Sequence, residues 1–274
     1  MSKVDLGTLA DDVQAEHDSL ANLLTSVPED AWDVATPAPR WSVRDQISHL
    51  AFFDGITRMA VDEPAEFERF RDGLADLHSY VNNVSEQCVG RTGAEMLRWW
   101  ADERRALLEA CLNADPSRRV PWFGPSMSLA SKMTARLMET WAHGQDVVDA
   151  LDLKRPLSGR LKHVARIGVL AFPNSFLANG LEVPQIPVRV SLQAPGGQGT
   201  WEWGNAAATD SVDGPAEDFC LVVTQRRHVH DTSLNVIGET ASAWMGIAQA
   251  FAGPPGEGRK PGQFPRKYQE ESPA

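Results

Sequence analysis

The sequence predicts an α+β protein: a helical bundle followed by a small α+β domain. Three observations carry this. Apolar residues recur at three- and four-residue spacing as far as about residue 150. Beyond Arg155-Pro156 the pattern shifts to short runs of period two. The last twenty or so residues, from Gly253, are mostly Pro, Gly and charge. The expected division is 1–152, 153–253 and a flexible tail over 254–274.

The first helix is written by Leu6, Leu9, Val13, His17, Leu20 and Leu24, with Pro28 beyond it as a stop. After the loop ATPAPR, Ser42 with Asp45 three residues on forms a capping-box start. Ile47, Leu50 and Phe53 continue that helix to the Asp62-Glu63-Pro64 break. One further helical stretch is expected from about Glu66 to Val84. Thr92 with Glu95 opens the next helix, whose stripe is Leu97, Trp100, Leu107, Leu108 and Cys111. Asp115-Pro116 ends it. Beyond the turn-rich PWFGPS, Leu129, Met133, Leu137 and Thr140 head a last long helix reaching about Leu151. Four or five helices joined by moderate loops pack naturally as an up-and-down bundle.

In the second half, Lys162 to Leu177 reads as a helix interrupted by Pro173. Val188–Leu192 and Thr200–Trp203 alternate as strands around the hairpin loop Ala194–Gly199. Asp213-Gly214-Pro215 reads as a turn, the apolar run Phe219–Thr224 as a further strand, and Thr240 to Phe251 as a short helix.

Composition narrows the function. Twenty-six basic residues stand against 37 acidic, a formal net charge of −11, which opposes nucleic-acid binding at long range. No run approaches the ~18 uncharged apolar residues of a membrane span. The start MSKVDLGTLADDVQAEHD has neither the basic nor the apolar region of a secretory signal. Cys88, Cys111 and Cys220 stand far apart with no C-x-x-C, which fits a reducing cytoplasm and opposes a disulfide framework or thiolate metal site.

One constellation carries chemistry. Glu139 and His143 lie four apart on the last bundle helix, about 6 Å along one face. His49 lies in an apolar stretch of the second helix. Two imidazoles and a carboxylate that face one another make a divalent-metal site with open positions, the arrangement of catalytic rather than structural metals. The plainer alternative is a solvated Glu-x-x-x-His face and a hydrogen-bonded core His49. Zinc suits the ligand types first; nickel, manganese and iron suit them too. Among other candidates, His17 reads as a core or boundary histidine that could reach the site. Asp146 reads as a helix-surface carboxylate or a group orienting a ligand. His228 and His230 share one face if their strand persists. His78 and His163 have no distinguishing context, and Trp41, Trp122 and Trp141 read as packing.

Trp41-Ser42-Val43-Arg44-Asp45-Gln46-Ile47-Ser48-His49-Leu50 resembles the first motif of the DinB/YfiT-like four-helix metalloproteins. Glu139-Thr140-Trp141-Ala142-His143 resembles their last-helix motif, in the same order and at a similar separation of about ninety residues. The carboxylate variant of this ligand set resembles that of the mycothiol-dependent maleylpyruvate isomerases, and Gly214–His228 is similar to an actinobacterial branch of that family. The resemblance implies a DinB-like bundle with a small C-terminal α+β domain, a divalent metal on His49, Glu139 and His143, and mycothiol as thiol cosubstrate. It implies an isomerase or thiol S-transferase of the cytoplasm. Its partners would be a small-molecule thiol and an electrophile, with no nucleic acid or membrane, in a monomer or homodimer. A non-catalytic metal- or ligand-binding module and a metal-assisted hydrolase are the competing readings. Arg226 and Arg227 come after the expected strand, so alternation sends them to opposite faces and at most one can face a pocket. The resemblance implies a C-terminal-domain arginine near the metal cleft; the alternative is that both are ordinary surface charges.

Overall fold

The computed structural model describes residues 5–251 and 253–264 of the 274. Among the described residues it is an α+β protein with ten α-helices and six strands. The chain divides into two compact units, Met1–Pro156 and Leu157–Ala274.

In the first unit, α1 (Leu6–Leu24) starts where the Asp5 carboxylate accepts from the Thr8 N–H at 2.7 Å. It buries the stripe Leu9, Val13, His17, Leu20 and Leu24, and also Glu16. Helix α2 (Val43–Asp62) opens with the expected capping box, Ser42 and Asp45 each bonding the other's backbone N–H. It stops at Glu63 because Pro64 cannot continue the hydrogen-bond ladder. The stretch expected as one helix from Glu66 to Val84 is instead two, α3 (Pro64–Gly73) and α4 (Leu77–Glu86). Leu74 is extended after Gly73, and Asp76 caps the new helix through Ser79 N–H at 2.7 Å. Helix α5 (Gly93–Asn113) has the Thr92/Glu95 capping box. The turn-rich segment after it is the loop of a small antiparallel hairpin, β1 (Arg119–Val120) and β2 (Met127–Ser128). Helix α6 (Leu129–Leu151) comes directly after β2, capped by Ser128, and ends at Asp152 in the left-handed region.

Helix α2 packs against α5 and α6, and α1 against the same two, so the four long helices close a ring. Their shared core includes Leu20, Leu24, Trp32, Val43, Ile47, Leu50, Met96, Trp100 and Val147. Truncating a buried aromatic such as Trp100 to Ala costs about 3–5 kcal/mol in such a setting. The unit's last residues are strapped to α6: Arg155 donates to the Trp141 carbonyl at 2.8 Å and to Gln145 Oε1 at 2.9 Å. Gly144 leaves room for that guanidinium, which a Cβ there would meet at 2.8 Å.

In the second unit, α7 (Leu161–Leu170) and α8 (Phe172–Ala178) are separated where Pro173 enters the first turn of α8. A four-stranded mixed sheet has the order β4-β3-β5-β6. Strands β3 (Val188–Gln193) and β4 (Thr200–Trp203) form the expected hairpin, with Gln193 opposite Thr200. Strand β5 (Asp210–Pro215) runs parallel to β3, and β6 (Asn235–Ile237) antiparallel to β5.

Asp213-Gly214-Pro215 is therefore the end of a strand rather than a turn. The run after it is helical: α9 spans Ala216–Val223. A continuous apolar run has the same pattern in a buried strand and a buried helix. Here Pro215 precedes the first turn, Glu217 and Asp218 occupy it, and both suit a helix start. The final helix, α10, is Glu239–Ile247. Residues 254–264, expected as loose tail, are held. Gln249 accepts from Gly256 N–H at 3.1 Å and donates to the Pro254 carbonyl at 3.2 Å, and Gly262 N–H donates to Asp231 at 2.8 Å. The rest of the expected tail lies outside the described residues.

Candidate metal centre

His49 stands in the second turn of α2, and Glu139 and His143 one turn apart in the middle of α6. Because α2 packs on α6, the three meet. His143 Nε2 lies 3.1 Å from Glu139 Oε2 and His49 Nε2 lies 3.6 Å from it. One ligand atom from each of the three falls within 4.8 Å of the others. Donors held about 2.0–2.2 Å from a tetrahedral ion stand about 3.3–3.6 Å apart, close to the two carboxylate–imidazole distances of 3.1 and 3.6 Å. Among the described residues no other group of three His, Cys, Asp or Glu side chains converges this way.

Hydrogen bonds settle which nitrogen of His143 is free. The Trp41 carbonyl can only accept, and the Thr36 hydroxyl donates to it at 2.8 Å. The Thr36 oxygen therefore accepts from the Gln46 amide nitrogen, also at 2.8 Å. That turns Gln46 Oε1 toward His143 Nδ1, 2.6 Å away, which must carry the proton. Nε2 is then the nitrogen that faces Glu139 Oε2, and it can bind a cation once it gives up any proton shared with that carboxylate.

Electrostatics agree. Burial, with the nearby His143 adding to it, depresses His49 to about 3, against the pull of Glu139, so this ring is neutral near pH 7. Burial alone would raise Glu139, but hydrogen bonds from His143 and His49 hold its carboxyl well below the usual range. The donor set is thus two imidazoles and one carboxylate. Its accessibility is uneven: His49 and His143 side chains are 14% and 12% exposed, Glu139 24%. Trp41 lies nearly parallel to the His143 ring, 5.7 Å between centroids, and Phe53 packs on His49 at 4.6 Å. Such a site has an aromatic wall and an open side at the carboxylate.

A second His–carboxylate pair lies in the same ring of helices. His17 Nε2 is 3.7 Å from Asp54 Oδ2, and both side chains are fully buried. Asp54 is already satisfied, accepting from Arg136 Nε at 2.8 Å and Trp100 Nε1 at 3.1 Å. Neither His17 nitrogen has a hydrogen-bond partner, and its ring meets Trp100 edge-on at 5.3 Å. Burial lowers His17 well below its ordinary value and raises Asp54 against the pull of Arg136. His17 is a core histidine that does not reach the converging three.

The other candidates separate. Asp146 is fully buried rather than on the helix surface, and His143 is held by Gln46. His228 caps a 3-10 turn and His230 lies within it, so they do not share a strand face; the His230 N–H donates to His228 Nδ1 at 3.2 Å. Arg226 and Arg227 come after a helix, so strand alternation no longer assigns them. Both backbone N–H groups bond the Leu221 carbonyl, and their guanidinium groups bond the carbonyls of Thr224 and Arg226, each at 2.7 Å. His163 sits half-buried on α7; the side chain of His78 lies outside the described residues. Trp41 and Trp122 do more than pack, since each presents a ring face to a polar group, whereas Trp141 is buried beneath Arg155. Sequence reasoning passed over Gln46 and Thr36. The one available signal was that Gln46 precedes His49 by three residues and so shares its helix face.

Residues 13–148 match the model of the mycothiol maleylpyruvate isomerase N-terminal domain. Two relatives from Mycobacterium tuberculosis, strains CDC 1551 / Oshkosh and ATCC 25618 / H37Rv, each bear the name uncharacterized protein. Each is 43% identical over 256 residues, covering 93% of this chain and 99% of its own. Among solved structures, a mycothiol-dependent maleylpyruvate isomerase with a histidine-to-alanine substitution superposes with a TM-score of 0.59 at 10% identity. The coverage is 83% of this chain and 93% of that one. A second structure of a mycothiol-dependent maleylpyruvate isomerase gives 0.55 at 12%, with the same coverage. At these identities the likeness is one of fold.

Proposed function

Because the chain belongs to the mycothiol maleylpyruvate isomerase N-terminal domain family, we propose that it is a divalent-metal-dependent enzyme that adds a low-molecular-weight thiol, mycothiol, to an electrophilic substrate. It then acts as an isomerase if the thiol leaves again and as an S-transferase if it stays. The observation that carries this reading is the convergence of two imidazole nitrogens and a carboxylate oxygen within 4.8 Å, with the carboxylate side part-exposed.

His49, Glu139 and His143 would hold the ion, zinc first by ligand type. When bound, such an ion favours the thiolate form of a thiol, which is its nucleophilic form near neutral pH. The chain's own residues do the rest. Gln46 holds a proton on His143 Nδ1, so Nε2 is the nitrogen that would take the ion. Glu139 contributes the one negative charge among the three ligands, leaving net positive charge to attract an anionic sulfur. Trp41 and Phe53 keep water from one side of the two histidines, which strengthens electrostatic interactions there.

We read the four long helices α1, α2, α5 and α6 as the up-and-down bundle of the DinB-like fold. We place the protein in the cytoplasm, where the three buried cysteine thiols stay reduced. Arg226 and Arg227 enter the proposal through family resemblance, as candidates to bind a carboxylate of cosubstrate or substrate.

The test is mass spectrometry of reactions containing zinc-loaded protein, mycothiol and a panel of electrophilic alkenes. A thiol conjugate identifies a transferase, and an isomer without net loss of thiol identifies an isomerase. Silence across the panel, with metal bound, contradicts an enzymatic role. Separate Arg226→Ala and Arg227→Ala variants should divide: one should lose tenfold or more in turnover, about 1.4 kcal/mol, while keeping its metal. Wild-type kinetics in both would remove the arginines from the proposal.

A further inference from the structure

An exposed apolar stripe runs along α7 and α8 in the second unit. The two helices meet at Ala171, yet the winding runs on. Ala171 N–H donates to the Ile167 carbonyl at 2.8 Å, and Ser175 N–H to the Ala171 carbonyl at 2.9 Å. At 3.6 residues per turn, Leu170 and Leu177 lie on one side to within about 20°, with Asn174 between them. Val164, Ala165, Gly168 and Phe176 lie on the other side and are buried. Past α8 the chain reverses. Gly180 is left-handed at φ 68°, Gly180 N–H donates to the Leu177 carbonyl, and Leu181 N–H donates to the Phe176 carbonyl, each at 3.0 Å. This Schellman turn folds Leu181 back against the end of α8. Leu170, Leu177 and Leu181 are 65%, 62% and 49% exposed.

The stripe is also short of charge. Between Arg166 and Arg189 the sole charged residue is Glu182, where the chain's average of 23% would put about five. A chain with a formal net charge of −11 repels its own copies, so copies meet best where charge is missing. The three leucines expose roughly 300 Å² of apolar surface, more than half of the about 500 Å² of apolar area that each partner contributes to an interface of standard size. Ile167, Pro173 and Ala178 border them and extend the face. A membrane-binding face carries a rim of Lys and Arg, and this stripe has one arginine.

The ends of the stripe are complementary. Arg166 stands one turn before Leu170, and Glu182 directly follows Leu181. Among the described residues neither makes a hydrogen bond or an ion pair. Asn174 lies midway between them in the sequence. Two stripes laid antiparallel about a two-fold axis at Asn174 bring Arg166 of each copy to Glu182 of the other. We propose that this face joins two copies of the chain in a symmetric homodimer, with Leu170, Leu177 and Leu181 at its centre and an Arg166–Glu182 pair at each end. Such an interface is self-complementary, so each substitution in it acts twice. The proposal is independent of the chemistry of the metal centre.

The experiment is sedimentation velocity of the full chain from about 1 to 100 µM. Wild type should pass from monomer to dimer in that range. Leu170→Glu and Leu177→Glu should each weaken the dimer tenfold or more with an unchanged circular dichroism spectrum. Leu112→Glu, at a residue 51% exposed on α5, should not. Arg166→Glu and Glu182→Arg should each weaken the dimer, and the chain carrying both should recover it. Mixing the two single variants should give a heterodimer tighter than either homodimer, because both end pairs are then opposite in charge. A wild type that stays monomeric throughout overturns the proposal, and flotation of that monomer with phosphatidylcholine vesicles would assign the face to a membrane instead. A dimer that survives both leucine variants, or single charge variants that gain nothing on mixing, overturns it as well. If the leucine variants lose helix content, the charge variants decide, since Arg166 and Glu182 lie outside the core.

Discussion

Two buried histidines in one ring of helices each face a carboxylate, and they have opposite fates. Asp54, beside His17, takes a guanidinium N–H from Arg136 and an indole N–H from Trp100, so its carboxylate is already occupied and the pair is fully buried. Among the described residues, Glu139, beside His49, has no arginine or indole bonded to it; its neighbours are two imidazole nitrogens, and a quarter of it is exposed. A His–carboxylate pair is therefore uninformative by itself. A ligand set differs from a core network in how many strong donors already occupy the carboxylate, and in whether the free nitrogens point at one place.

That contrast can be broken most directly by removing its members. His49→Ala and His143→Ala should each lower bound divalent metal from about one per chain to background by elemental analysis, with secondary structure intact. Asp54→Ala should do the reverse. Stripping the partner from buried Arg136 should cost about 3–5 kcal/mol in denaturant unfolding, while the surviving folded protein keeps its metal. Metal loss in Asp54→Ala at temperatures where it is folded would merge the two clusters into one.

A subtler effect sharpens the comparison. Gln46→Leu removes the acceptor that fixes the His143 tautomer and should weaken metal binding about 10- to 100-fold, seen in competition with a chelator. Unchanged affinity would mean that the ring is held by packing against Trp41 alone.

The smallest effects belong to His17. Since neither of its nitrogens is bonded, His17→Phe should change stability by about 1 kcal/mol or less and leave metal content unchanged. It should also change the pH dependence. In the unfolded chain His17 binds a proton near 6.5, but burial keeps the folded form neutral well below that. The unfolded state then holds more protons as pH falls through 6.5, so acid destabilises the fold. His49 contributes in the same direction in metal-free protein, over a window from 6.5 down to about 3. Thermal midpoints of metal-free wild type should fall between pH 7 and 5, and His17→Phe should fall less. Parallel slopes would show that His17 does not titrate differently on folding.

The same contrast explains how far the site could be read in advance. His49, Glu139 and His143 were legible because two share a four-residue helical spacing and all three stand in recurrent motifs. The caps at Ser42 and Thr92 were legible because a capping box is local. Gln46 was not, because its meaning depends on Thr36 and the Trp41 carbonyl, which meet only when the loop before α2 folds back. Helix α9 was misread because Phe219–Val223 is apolar at every position, and a run buried all round carries no period. Misreading it also misplaced Arg226 and Arg227.

The central claim is that His49, Glu139 and His143 hold an ion with a position open to a thiol. Absorption spectroscopy of the cobalt-substituted protein tests it most directly. Adding mycothiol to wild type should produce a thiolate-to-cobalt charge-transfer band that saturates at one equivalent, and His143→Ala should show neither the cobalt spectrum nor the band. A cobalt spectrum unchanged by mycothiol, or a band that persists in His143→Ala, would contradict it.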